Sequence, residues 1–182
     1  MNFDDALKSD TKDLTYYVGY KPLVKALVDE HGFVAIAKAM AALSMWKHSS
    51  NLATAELVLE HCGMLLNMMP RVTKPIYRGL TVPMSDPIAK KNIGDTFVVK
   101  SRMPLTSWTA RLSFAKIWAD TDDKAEATLV VETSTIKLPV YLAPVKAMPM
   151  VLKQLLGNLP DIHEDEWLVA DQSISVKLAY KK

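Results

Sequence analysis

The sequence predicts an α+β fold, with a helical first third followed by a strand-rich remainder. Three observations lead there. Apolar residues recur at helical spacing up to about residue 67. Residues 33–47 form an Ala- and Met-rich run with no Gly or Pro inside it. After Pro75 the texture changes to short runs of β-branched and aromatic residues.

Taken in order, residues 22–30 carry Leu23, Ala26 and Leu27 at helical spacing, and His31-Gly32 supplies a stop. Residues 33–47 read as a buried helix. Ser49, Ser50 and Asn51 punctuate it, and Asn51 or Thr54 is a candidate cap for a helix over 52–67, closed by Pro70. Ile76-Tyr77 and residues 96–100 read as strands, 113–119 as a short helix, and 127–132 and 136–142 as further strands. A helix is expected from about Pro149, with Val151, Leu152, Leu155 and Leu156 on one face and Gly157 at its end. Residues 164–169 and 173–178 close the chain as strands. With no repeat, low-complexity tract or linker, one domain over 1–182 is expected, mainly helical over 1–72 and strand-rich over 73–182.

Composition narrows the function. The 182 residues are 49% hydrophobic and 23% charged, ordinary for a globular protein with a real core. A net charge of +2 leaves no electrostatic footprint for nucleic acid or an anionic membrane, so neither is expected as a partner. Cys62 is the single cysteine and reads as a packing residue, which suits a reducing cytosol. Asn2, Phe3, Asp4 and Asp5 do not form a signal peptide, and no apolar run reaches the roughly 20 residues a bilayer requires, so a cytoplasmic location is expected.

Several chemistries are disfavoured. Neither G-x-G-x-x-G nor a P-loop occurs, and six glycines are few for a glycine-rich phosphate loop. His31, His48, His61 and His163 lack metal-ligand spacing and there is no Cys-x-x-Cys, so no metal is expected. No G-x-S-x-G elbow is present.

What remains is a dispersed set of polar residues. Arg78 follows the strand-like Pro75-Ile76-Tyr77, where its planar fork suits a phosphate or pyrophosphate; Gly79 beside it admits a close backbone approach. Ser107 and Thr109 are two apart in an extended segment and face one side, fit to position a ribose or a carboxylate. Glu164 and Glu166 repeat that spacing, and two aligned carboxylates repel each other unless something binds them. Each feature alone is common on ordinary surfaces. Together they suit cleavage of the nicotinamide–ribose bond of NAD. That leaving group already carries positive charge and needs no acid, and a carboxylate stabilises the oxocarbenium-like transition state.

Tyr77-Arg78-Gly79, then Thr106-Ser107-Trp108-Thr109 with Phe114-Ala115 after it, then Glu164-Asp165-Glu166-Trp167-Leu168, resembles the arginine-specific mono-ADP-ribosyltransferases of the Arg-Ser-Glu class. The bacteriophage enzymes that modify host proteins are the most similar in size and ending. Trp108 and Thr109 depart from the small hydroxyl residues usual there. The resemblance spans about Pro75 to Leu178 and implies a split, mostly antiparallel β-sandwich for the second half. It implies NAD as co-substrate, with Arg78 on its phosphate, Gly79 meeting the nicotinamide amide through backbone, and Ser107 and Thr109 shaping the pocket. It implies Glu166 as the catalytic glutamate, oriented by Ser107, and Glu164 as the group that binds the acceptor arginine. Residues 158–163 take the place of the substrate-recognition loop. The implied partner is an arginine-bearing host protein, for instance of transcription or translation, in a bacterial cytoplasm. Alternatives from the residues alone are an NAD glycohydrolase, a transferase to another acceptor such as nucleic acid, or a non-catalytic binding protein.

Overall fold

The computed structural model describes residues 2–63, 74–133, 140–142, 166–170 and 172–182. The helix expected after Pro149, strand residues 136–139, Glu164 and the loop 158–163 lie outside them. The chain forms two compact units, one running to Pro70 and taking in Met103–Leu105, the other beginning at Arg71. The boundary falls where the sequence changes from helical to strand texture.

The first unit contains α1 (Phe3–Tyr20), α2 (Pro22–His31), α3 (Phe33–His48) and α4 (Leu52–His61). Helix α1 was not singled out by its apolar pattern; its signal is the cap. Asn2 Oδ1 accepts from the Asp5 amide at 2.9 Å, and Asp4 and Asp5 occupy the first turn, where the helix dipole favours acids. Pro22 opens α2, and Gly32, at φ 88°, joins α2 to α3 in a conformation that favours glycine. Helix α3 packs against α1, α2 and α4, and Ile36, Met40, Leu43 and Trp46 are buried on it. Asn51 and Thr54 cap α4 jointly: Asn51 Oδ1 accepts from the Thr54 amide at 3.1 Å, and Thr54 Oγ1 accepts from the Asn51 amide at 3.0 Å. Helix α4 ends at His61, and residues 64–67 of the helix expected over 52–67 lie outside the described residues. Just beyond His61 the Cys62 thiol donates to the Ala39 carbonyl of α3, and burial pushes its pKa up to about 12. That makes it a packing residue and a poor nucleophile.

Asp10 on α1 is half-buried, and its Oδ2 has no hydrogen-bond partner among the described residues. Burial raises its pKa; a hydrogen bond with Ser44 opposes this and Asp13 adds to it. A carboxyl raised in the folded state leaves folding unpenalised below the unfolded value, near 3.8, and the penalty grows as pH rises through the folded value. Asp10→Asn is therefore expected to stabilise the protein at pH 7 and to flatten the loss of stability above pH 4. Urea melts of both proteins at pH 4 and pH 7 check this; an Asn variant weaker at pH 7, with the slope unchanged, contradicts it.

The second unit holds β1 (Tyr77–Pro83), a 3-10 turn (Pro87–Lys90), β2 (Thr96–Lys100), β3 (Thr106–Thr109), α5 (Leu112–Ala119), β4 (Glu126–Thr133), β5 (Val140–Leu142), β6 (Glu166–Val169) and β7 (Ser173–Lys181). The strands form a seven-stranded sheet in the order β2-β7-β4-β1-β3-β6-β5. The β1–β3, β1–β4, β2–β7, β3–β6 and β4–β7 pairs are all antiparallel. Among the described residues, hydrogen bonding links the strands into one sheet. β1 outruns the two residues expected of it because β4 pairs with it through Pro83. Ile174, Val176 and Leu178 alternate with exposed Ser173, Ser175 and Lys177, the period of a strand with one buried face. Their core partners are Ile76, Ala127, Leu129, Val131, Trp108 and Val169. Helix α5 packs on β1, β3 and β4.

Candidate functional site

The three sequence motifs, far apart along the chain, lie on three neighbouring strands. Arg78 is on β1, Ser107 and Thr109 on β3, and Glu166 opens β6. Their register is shared. Thr109 pairs with Tyr77 on one side and with Glu166 on the other, and Tyr77 pairs in turn with Glu132, which pairs with Lys177. Directly opposed residues on antiparallel strands occupy the same face. A polar row thus crosses five strands at one level: Lys177, Glu132, Tyr77, Thr109, Glu166. Ser107 is two residues along β3 from Thr109 and so lies diagonal to the Glu166 position. Glu164 lies outside the described residues.

Pairing between β1 and β3 is limited to Tyr77↔Thr109 among the described residues. Continued pairing would have matched Arg78 with Trp108 and Gly79 with Ser107. Its absence divides the sheet into β2-β7-β4-β1 and β3-β6-β5, joined at one point. The backbone edges that face each other past this junction belong to Arg78-Gly79 and Ser107-Trp108.

Arg78 stands beside this junction, one residue past Tyr77, and so on the opposite face of β1 from the row that contains Thr109 and Glu166. It shares its face of β1 with Leu80 and Val82, which pack on the core. Burial lowers the guanidinium pKa, and among the described residues no carboxylate or carbonyl engages it. It stays charged, since even a lowered arginine is far above neutrality. A charge partly withdrawn from water with nothing opposite it is costly unless an anion completes it.

The other groups have local explanations as well. Thr109 is fully buried, and its Oγ1 accepts from the Arg111 amide at 3.0 Å, turning the chain into α5. Trp108 points into the core, where its Nε1 donates to Thr106 Oγ1 at 2.9 Å. The departure from a small residue at this position is thus a core feature. Ser107 is half-buried. Glu132 is half-buried and bonded to Lys177 Nζ at 2.8 Å, and its charge and hydrogen bond raise the lysine pKa. Sequence reading missed Glu132 and Tyr77 as members of the row; only the β1–β4 register, with Tyr77 opposite Glu132, discloses them.

Gly79 has a structural duty in addition to any contact with a ligand. A Cβ at this position would lie 2.3 Å from the Ala115 carbonyl oxygen and 2.8 Å from Ala119 Cβ, both on α5. The helix is held there by Thr81 and Thr128, whose hydroxyls donate to the Ala119 carbonyl at 3.1 and 3.0 Å. The space freed by the missing side chain is filled by α5, which leaves the backbone of Gly79 as its route to a ligand. Gly79→Ala is expected to destabilise the fold by about 1–3 kcal/mol or more, because backbone atoms must yield. Chemical denaturation checks this, and a variant of unchanged stability contradicts the close packing.

No protein-family model, curated protein or solved structure matches the chain. Among the described residues, no helix is long and apolar enough to cross a membrane. No group of three or more His, Cys, Asp or Glu side chains there is arranged to hold a metal ion.

Proposed function

We propose that the strand-rich unit is an NAD-binding catalytic domain that transfers ADP-ribose to arginine side chains of proteins and releases nicotinamide. The observation that carries this reading is the partly buried Arg78 guanidinium, unpaired among the described residues. It sits at the opening between β1 and β3, with Glu166 on the next strand. The pinched junction supports a split sheet of the ADP-ribosyltransferase type.

In this reaction the dinucleotide lies in the opening with its pyrophosphate on Arg78. The Gly79 backbone meets the nicotinamide amide, and Ser107 and Thr109 shape the pocket. The bond between the ribose C1′ and the pyridinium nitrogen breaks, and its electron pair neutralises the departing nicotinamide. Glu166 holds a ribose hydroxyl and faces the cation that develops on C1′. Glu164 holds the acceptor guanidinium by paired hydrogen bonds. An arginine nitrogen then forms the new bond to C1′ and gives up a proton to a carboxylate.

The test is incubation with labelled NAD and a bacterial lysate. Hydroxylamine-sensitive label on discrete proteins, together with nicotinamide release, is the expected result. Nicotinamide release without protein label turns the reading into an NAD glycohydrolase. Absence of both removes the enzyme and leaves a binding protein.

A further inference from the structure

Helix α5 has an inner face suited to its seat on the sheet and an outer face that takes no part in it. The inner residues Ala115 and Ala119 are buried and small, matching Gly79. The outer face carries Phe114, Ile117 and Trp118. Ile117 is 68% exposed and Trp118 42%, while Phe114 and Trp118 form a tilted ring pair 6.3 Å apart. Large apolar side chains grouped on one exposed face contribute little to folding and mark a contact surface.

Two observations say what the surface meets. Helix α5 begins three residues after Thr109, in the row that contains Glu166, so the ridge starts at the rim of the candidate site. The turn that follows α5 exposes Asp120, Asp122 and Asp123; of these, Asp120 is bonded to Lys182 Nζ at 2.6 Å. Arg111 of this chain lies over the Phe114 ring at 5.8 Å, Asp123 accepts from the Ala125 amide at 2.9 Å, and Lys124 is exposed in the same turn. The ring of Trp118 and the carboxylate of Asp122 remain suited to a partner's guanidinium, which stacks on a ring face and pairs with an acid.

We propose that this ridge of α5, with the acidic turn after it, docks the basic, arginine-bearing surface of the acceptor protein. The proposal rests on the transferase reading above and gives that site its means of choosing among proteins. A free small guanidine has no surface to dock and reacts without the ridge.

The experiment compares the wild type with an Ile117→Ser, Trp118→Ser double variant and with Asp122→Lys. Label from NAD is followed on the proteins of a bacterial lysate and on agmatine, and nicotinamide release is measured alongside. Both variants are expected to label lysate proteins at least tenfold less than wild type, with agmatine transfer and nicotinamide release within twofold, which also certifies the fold. Unchanged protein labelling overturns the ridge while leaving the enzyme reading intact, and so does a parallel fall on both acceptors. A wild-type dimer that the double variant converts to monomer, seen by light scattering, assigns the ridge to a second copy and also overturns the proposal. A wild type that releases no nicotinamide fails at the earlier step and removes the transferase together with its docking surface.

Discussion

Under the proposed transferase reading, Glu166→Gln is expected to lose both ADP-ribose transfer and nicotinamide release, by a factor on the order of 10²–10⁴, and to keep its melting temperature. The substitution preserves shape and one hydrogen-bonding oxygen but removes the negative charge that the developing ribosyl cation requires. Glu166 stands at the head of β6, opposite Thr109. Glu164→Gln separates the two activities. Water needs no guanidinium clamp, so nicotinamide release survives in this variant while transfer to arginine is lost. Initial rates of both products in parallel, with melts of each protein, check the pair. Full activity in Glu166→Gln removes the assignment, and equal losses of both activities in Glu164→Gln remove the division of labour.

Parts of this arrangement are legible in the sequence and parts are not, for identifiable reasons. β2 begins and ends where its β-branched run does, because that run has no competing signal. α2 and α3 were legible from Pro22, the Gly32 stop and the unbroken Ala-rich run. α1 escaped notice because two of its three tyrosines, Tyr16 and Tyr20, are exposed and blur the apolar stripe. The length of β1 was hidden by Gly79, a poor strand former that a neighbouring helix requires. Spacing along the chain disclosed Arg78, Ser107, Thr109, Glu164 and Glu166 as candidates. It disclosed nothing of the neighbouring strands that carry Arg78, Ser107, Thr109 and Glu166, which depend on β3 inserting between β1 and β6, a pairing across some sixty residues of sequence. The single-pair junction is equally invisible in sequence, since a strand edge left open has the same residues as one that is paired.

Arg78→Met separates binding from folding more sharply than any other change in the protein. In the free protein the guanidinium is partly desolvated with no anion opposite it among the described residues, so its removal relieves a cost. The methionine chain retains the apolar stem beside Leu80 and Val82. Stability is therefore expected to be unchanged or higher. NAD affinity falls, because a charge-assisted bond to phosphate contributes about 1.5–3 kcal/mol, a loss of roughly 10- to 100-fold in Kd. Ligand-induced stabilisation follows the same arithmetic: NAD at 100 times the wild-type Kd raises wild-type stability by about 2.7 kcal/mol, and a variant bound 100-fold more weakly gains only about 0.4. Arg78→Lys falls between the two, since it keeps the charge but lacks the planar fork. Calorimetric titration with NAD and melts with and without it provide the measurements. A lower melting temperature in Arg78→Met, with NAD affinity unchanged, would make Arg78 a structural residue and close the opening between β1 and β3 as a phosphate site. A gain in stability coupled to loss of binding is the signature of a charge retained for a ligand at the expense of the fold.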